Sequence, residues 1–149
     1  ILNVRFSAFI ASDEKGKLQL KLLHGGTAPN AVPDTCVVQI RGMDAATLAS
    51  VSRTCETMQY RHKIEMDENE DATITFFGKS AHGSTPEKGV NAAAHAIQVL
   101  DTLPLTGDIR GLVHFLAEKL GEETDGRSLG IRMEDHTGAL SVNLGLLNF

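Results

Sequence analysis

Apolar and polar positions alternate from the start of the chain. Leu2, Val4, Phe6 and Ala8 fall on one side of residues 1–11, which predicts a β-strand. The polar turn Asp13-Glu14-Lys15-Gly16 leads to a second alternating run at Leu18, Leu20 and Leu22, and the two strands are predicted to pair as a hairpin. A third apolar run covers residues 36–40. Asp44 then offers a cap for a helix reaching to about residue 60, because Ala45, Leu48, Ala49, Val51, Ser52 and Cys55 share one stripe. Ile64 and Met66, then Ala72, Ile74, Phe76 and Phe77, predict two strands joined by an acidic turn over residues 67–71.

A loop rich in small and polar residues, 78–89, precedes a predicted helix over 90–103 that Pro104 stops. Asp108 is the predicted cap of another helix, with Ile109, Leu112, Val113, Leu116 and Leu120 at helical spacing. Residues 129–133 and 140–147 predict further strands about a turn at 135–138. Consecutive strands interrupted by helices give the α+β class: an antiparallel sheet covered on one face by helices. The 149 residues fit one domain of ordinary size, or one and a small appendage, without internal repeats.

Composition narrows the function classes. At 42% hydrophobic and 22% charged residues, the chain can bury a core. A formal charge of −5, with no basic run, argues against a nucleic-acid partner. No apolar run approaches the ~20 residues that cross a bilayer, so no membrane partner is expected. Cys36 and Cys55 lie in different predicted elements and form no CxxC pair, which favours free thiols in a reducing, cytoplasmic compartment. The first ten residues lack the basic and apolar regions of a signal peptide. The chain starts without Met and stops just after a strand-like run, so both ends are expected to lie inside a longer protein.

Six histidines raise a metal hypothesis that their spacing does not support. His24, His62, His82, His95, His114 and His136 are scattered, with no HExxH or HxH arrangement, so this chain is expected to bind no metal itself. His95 and His114 read as solvated or core-edge residues on helices, and His62 and His136 as solvated near polar turns. The acidic turn lacks the glycine of a calcium loop, and Gly25-Gly26 starts no nucleotide fingerprint. Ser80 and Ser84 flank His82, but sequence adjacency alone makes no nucleophile–base pair.

Two loops stand apart. His24-Gly25-Gly26-Thr27-Ala28-Pro29-Asn30-Ala31-Val32-Pro33-Asp34 and Gly78-Lys79-Ser80-Ala81-His82-Gly83-Ser84-Thr85-Pro86-Glu87-Lys88-Gly89-Val90-Asn91-Ala92 each follow a predicted strand. Glycine and proline fix unusual backbone positions in both. Each loop carries one side chain able to donate to a substrate: the amide of Asn30 and the imidazole of His82. On spacing alone both loops also fit ordered connections, with Asn30 bonding its own backbone as turn asparagines do.

These loops carry a resemblance. GGTAPNAVPD resembles the GG-x-x-x-N-x-x-P-D stretch of the M20 metallopeptidase lid, and GKSAHGSTPEKGVNAAAHAI the histidine-bearing stretch of the same domain. The Gly-Ser after His82 and the Pro-Glu-x-Gly-x-Asn-Ala run look most like the PepV-like bacterial dipeptidases, the Xaa-His dipeptidase or carnosinase-like branch. The match fits the family's ferredoxin-like lid over residues 15–105, and the tail 121–149 fits the longer lid of that branch.

The resemblance implies a single lid domain cut from a larger metallopeptidase, whose catalytic domain holds two zinc ions and is absent here. The His-x-Asp motif and other zinc ligands of that catalytic domain are missing, so the fragment alone is expected to be inactive. By the same resemblance His82 helps to hold the oxyanion and Asn30 binds substrate, a dipeptide, over the catalytic domain of the same chain. Zinc would polarise the scissile carbonyl and activate water, and lid donors would meet the oxyanion from the opposite side. No position before Phe149 matches the family arginine that binds the substrate carboxylate. The extended lid favours a monomer, with a lid-mediated homodimer as the competing state. The other reading is a non-catalytic dimerisation domain of another M20 amidohydrolase, an aminoacylase or deacetylase.

Overall fold

The computed structural model describes residues 2–7, 18–69 and 71–149, with the backbone path alone for residues 2–7. Its main sheet has six strands: β1 (Leu2–Ser7), β2 (Gln19–Gly25), β3 (Thr35–Arg41), β4 (Arg61–Met66), β5 (Asp71–Phe77) and, last in the chain, β8 (Val142–Asn148). Their order across the sheet is β1-β8-β2-β3-β5-β4. Three helices complete the layer: α1 (Ala45–Thr57), α2 (Ala92–Asp101) and α3 (Asp108–Lys119). A two-stranded hairpin of β6 (Glu134–Asp135) and β7 (Gly138–Ala139) stands apart from the sheet.

The α+β class holds, and the centre of the sheet is ferredoxin-like. β3 and β4 are separated by β5, which is antiparallel to both, and α1 connects them as in a split βαβ unit. β2, antiparallel to β3, fills the fourth strand position from the N-terminal side. Alternation decides the faces. Cys36, Val38 and Ile40 of β3 pair with Phe76, Ile74 and Ala72 of β5, and all six are buried. The opposite face carries Thr73, Thr75, Gln39, Lys63 and Glu65, none of them buried.

α2 packs against the sheet on one side and α3 on the other. This double burial explains its sequence: Ala92, Ala93, Ala94, Ala96, Ile97, Val99 and Leu100 are all buried, whereas an amphipathic surface helix would expose one face. The two outer helices, α1 and α3, bury only one stripe each, Val51 and Cys55 in α1 and Ile109, Val113 and Leu116 in α3.

Several expectations need correction. β1 does not form a hairpin with β2: β8 lies between them, antiparallel to β2 and parallel to β1, so one edge pairing of the sheet is parallel. The predicted turn at Asp13 to Gly16 lies outside the described residues. Alternation identifies a strand but not its partner. The clue was in β8, whose nearly continuous burial marks an interior strand with two neighbours to satisfy.

α1 stops at Thr57, short of Tyr60, because Gln59 adopts φ 59° and sends Tyr60 back into the core, where its N–H donates to the carbonyl of Cys55 at 2.8 Å. α2 begins at Ala92 with Asn91 as its cap. Gly107, at φ 76°, occupies the cap position before α3, and Asp108 is the helix's first residue. Residues 129–133 are not a strand, since Gly130 at φ 71° closes a turn onto Arg127. The acidic turn is a hairpin tip ordered by Asp67, whose carboxylate accepts from the N–H groups of Asn69 and Asp71.

His95 on α2 is buried and stacks on Tyr60, with ring centroids 3.8 Å apart. Its Nε2 lies 3.1 Å from Oε1 of Glu122, while its buried Nδ1 has no hydrogen-bond partner among the described residues. Burial holds the imidazole below its ordinary value of 6.5, and the half-exposed Glu122 offsets this in part. The geometry agrees, since a proton added at Nδ1 would be a buried donor with no acceptor.

Two predictions follow from this packing. Phe76→Ala should destabilise the chain by about 3–5 kcal/mol, and Phe77→Ala, on the exposed face of the same strand, by less than about 1.5 kcal/mol. Urea midpoints of the two variants check this. His95 binds its proton more weakly folded than unfolded, so its stabilisation is complete above pH 6.5 and is lost as pH falls below that value. Between about pH 7.5 and about pH 5 the melting temperature should fall more steeply for the natural chain than for His95→Gln, and parallel curves would rule out this role.

Candidate functional site

β2 and β5 run in the same direction, so the loops that follow them leave from one end of the sheet. A loop has backbone donors and acceptors that no ladder satisfies, and here the two loops satisfy each other. The Val32 N–H donates to the Ala81 carbonyl at 2.8 Å, and the Gly83 N–H to the Asn30 carbonyl at 2.7 Å. Ala31 thereby faces His82 in an isolated antiparallel bridge. Lys79 and Val90 exchange two bonds of 2.9 Å that close the second loop at its base.

β8 supplies the floor. It runs past the end of β2, whose His24 and Gly25 reach only Asn148 and Leu147, so its first half lies beside the loops. The crossing is tight enough to exclude side chains. Gly26 sits at φ 81°, and a β-carbon there would strike the carbonyl of Gly145, while one on Gly145 would strike the carbonyl of Pro29. Gly26 thus serves a backbone crossing, while a β-carbon on Gly25 would press on the side chains of Ala93 and Cys36.

A chain of amides locks this arrangement. Oδ1 of Asn91 accepts from the Ala94 N–H at 3.0 Å, capping α2. Its Nδ2 donates to the Leu144 carbonyl at 3.0 Å and to Oδ1 of Asn143 at 3.3 Å. The buried Asn143 donates in turn to the Ala31 carbonyl at 2.9 Å, and Ser141 Oγ to the Gly83 carbonyl at 3.3 Å.

Asn30 and His82, singled out from separate stretches of sequence, are therefore neighbours on adjoining segments, and both are exposed. The Asn30 side chain makes no hydrogen bond among the described residues, so it is not the self-bonded turn asparagine that spacing alone also allowed. Nδ1 of His82 accepts from the Ser84 N–H at 3.2 Å and lies 2.7 Å from Ser84 Oγ. Its Nε2 makes no hydrogen bond among the described residues.

A cavity of about 320 Å³ opens beside the second loop, lined by Val32, Pro86, Asn91, His95, Glu122 and Asn143 among others. Neither Asn30 nor His82 lines it.

The other candidates are elsewhere. His114 of α3 lies 3.1 Å from Asp101 at the end of α2. His62, expected to be solvated, is half-buried with Nδ1 3.1 Å from the Tyr60 carbonyl. His24 Nδ1 lies 3.0 Å from Asn148 Oδ1. Among the described residues no group of three or more His, Cys, Asp or Glu could hold a metal ion. Burial pushes the Cys36 thiol up to about 12 and Cys55 to about 11, so neither is a thiolate at neutral pH. No helix among the described residues is long and apolar enough to cross a membrane. Sequence reasoning missed Ser84 as a partner of His82, and Asn143. The signal for Asn143 was a polar residue inside the apolar run Ser-Val-Asn-Leu-Gly-Leu-Leu.

Known proteins place the chain in context. Residues 70–146 match the family model described as a peptidase dimerisation domain of the M20 class. The β-Ala-Xaa dipeptidase of Lactobacillus delbrueckii subsp. lactis is 31% identical over 153 residues, which cover 100% of this chain and 32% of that protein. A dipeptidase-like protein of Staphylococcus haemolyticus is 27% identical over 88% of this chain and 28% of its own length. One from Bacillus subtilis, YtjP, is 27% identical over 89% of this chain and 29% of its own. The chain thus spans about a third of the length of the curated relatives it matches. With the match running from β5 through α2 and α3 into β8, and so through the His82 loop, the chain belongs to the M20 peptidase dimerisation domain family.

Proposed function

We propose that residues 1–149 form the lid of a larger metal-dependent dipeptidase, and that Asn30 and His82 donate hydrogen bonds to the substrate's scissile carbonyl oxygen as it becomes an oxyanion. The observation that carries this reading is the backbone pairing of the two loops, which brings Asn30 and His82 onto adjoining exposed segments, where the Asn30 amide and the His82 Nε2 make no hydrogen bond among the described residues. Donors held rigidly where negative charge develops are the largest single contribution in many hydrolases. An open surface fits half of a site whose other half lies on another domain.

In this reading the two zinc ions belong to the parent's catalytic domain. Bound there, zinc supplies Lewis-acid polarisation and a nucleophilic water at neutral pH. What this chain contributes is binding, orientation and exclusion of water by closure over the substrate. β-Alanyl dipeptides are the first substrates to assay, given the name of the Lactobacillus relative. Cytoplasmic residence belongs to the same reading and is supported by two buried free thiols.

A second reading, pairing of two copies, is favoured by one feature. β4 is the last strand of the sheet and leaves a row of backbone groups open to a neighbour. Its exposed Arg61, Lys63 and Glu65 oppose that, since charged edge residues discourage pairing. Light scattering over a dilution series should give a monomer, and a dimer that persists on dilution would favour the second reading.

In the full-length enzyme, His82→Ala should lower kcat for dipeptide hydrolysis by about 10²–10³, with the bound-metal count unchanged. Asn30→Ala should lower kcat by a smaller factor. Unchanged turnover in both variants would remove the catalytic part of this reading and leave a cover or a dimer contact.

A further inference from the structure

We infer that Ser84 is a positioning residue, which fixes His82 as the tautomer with its proton on Nε2 and turns that N–H toward the open surface. The inference rests on the lid reading for its catalytic consequence but on geometry alone for the tautomer. Nδ1 of His82 lies in reach of two groups from one residue, the Ser84 main-chain N–H at 3.2 Å and the Ser84 hydroxyl at 2.7 Å. The main-chain N–H can only donate, so the nitrogen it meets carries no proton. In a neutral imidazole the proton is then on the other nitrogen, and the hydroxyl, free to rotate, turns its own hydrogen to Nδ1.

The surroundings make this more than a surface contact. The backbone of His82 is held on both sides, by the bridge to Ala31 and by the Thr85 N–H, which donates to the His82 carbonyl at 2.9 Å. Gly83, between histidine and serine, is buried, and its N–H donates to the Asn30 carbonyl. The segment that aims the ring is therefore the segment that holds Asn30. Among the described residues no carboxylate bonds the His82 ring, so a hydroxyl and a main-chain amide take the place of the acidic partner that orients many catalytic histidines. A neutral orienting group leaves no negative charge beside the site where an oxyanion would form. It presents the ring as a hydrogen-bond donor and not as a general base, because the lone pair that could accept a substrate proton is already engaged.

The test has two arms. Nitrogen-15 chemical shifts of His82 are recorded for this chain, with its ring neutral, in the natural form and in Ser84→Ala and Ser84→Thr. The natural form should show Nδ1 at the acceptor extreme and Nε2 at the protonated extreme. Ser84→Ala, which removes the hydroxyl and keeps the main-chain N–H, should draw both part of the way toward averaged values, and Ser84→Thr, which keeps the hydroxyl, should restore them. A protonated Nδ1, or shifts unmoved by Ser84→Ala, overturns the inference whatever the parent enzyme does.

In that enzyme Ser84→Ala should lower kcat by about 10-fold at constant KM, and should have no further effect in a His82→Ala background. An equal loss in both backgrounds overturns action through His82. If His82→Ala leaves kcat unchanged, the lid reading fails, while the assignment of the tautomer stands on the spectra.

Discussion

Unsatisfied backbone in two long loops is the constraint around which this fold is arranged. Neither loop continues the strand ladders of the sheet, yet both must approach one another and the core. Five asparagine and main-chain contacts resolve the difficulty: Asn91 caps α2 and reaches β8, Asn143 of β8 reaches the first loop, and the loops bond each other through Val32 and Gly83. Each bond has a net worth of only about 1 kcal/mol, but a buried amide left without its partner costs about 1–3 kcal/mol. The network is therefore stable mainly as a complete set, which ties the capping of a helix to the shape of a surface loop.

Much of this was legible in the sequence, for identifiable reasons. The period-2 runs at Cys36–Ile40 and Ala72–Phe76 found their strands because one face is buried and the other wet. Asp44 was recognised as a cap because a short polar side chain stood just before an apolar stripe, and it does bond the Thr47 N–H, at 2.7 Å. What failed was pairing. No local pattern says that β8, more than a hundred residues away, slides between β1 and β2. The end of α1 was misjudged because Gln59, which is not glycine, takes the left-handed conformation that stops it.

The candidate site was legible as two loops and illegible as one place. Asn30 and His82 were named from the chemistry their side chains can perform, and their adjacency depends on bonds between main-chain atoms that carry no residue signature. Ser84 was dismissed from sequence because it was considered as a nucleophile. Its contact with His82 is of another kind, made to the nitrogen that such a pair would leave for an acid. The glycines were easier to notice than to explain: Gly145 matters only because Pro29, far away in the chain, passes over it.

α2 has a mechanical consequence as well. Ala92, Ala93, Ala94 and Ala96 have no side-chain torsion that can readjust, so this stretch of helix has almost no rotamer freedom with which to absorb a displacement. Longer side chains between two layers act as springs, whereas methyl groups act as fixed spacers. A load placed on α3, the outermost layer on that face, is therefore passed through α2 to the sheet nearly undamped.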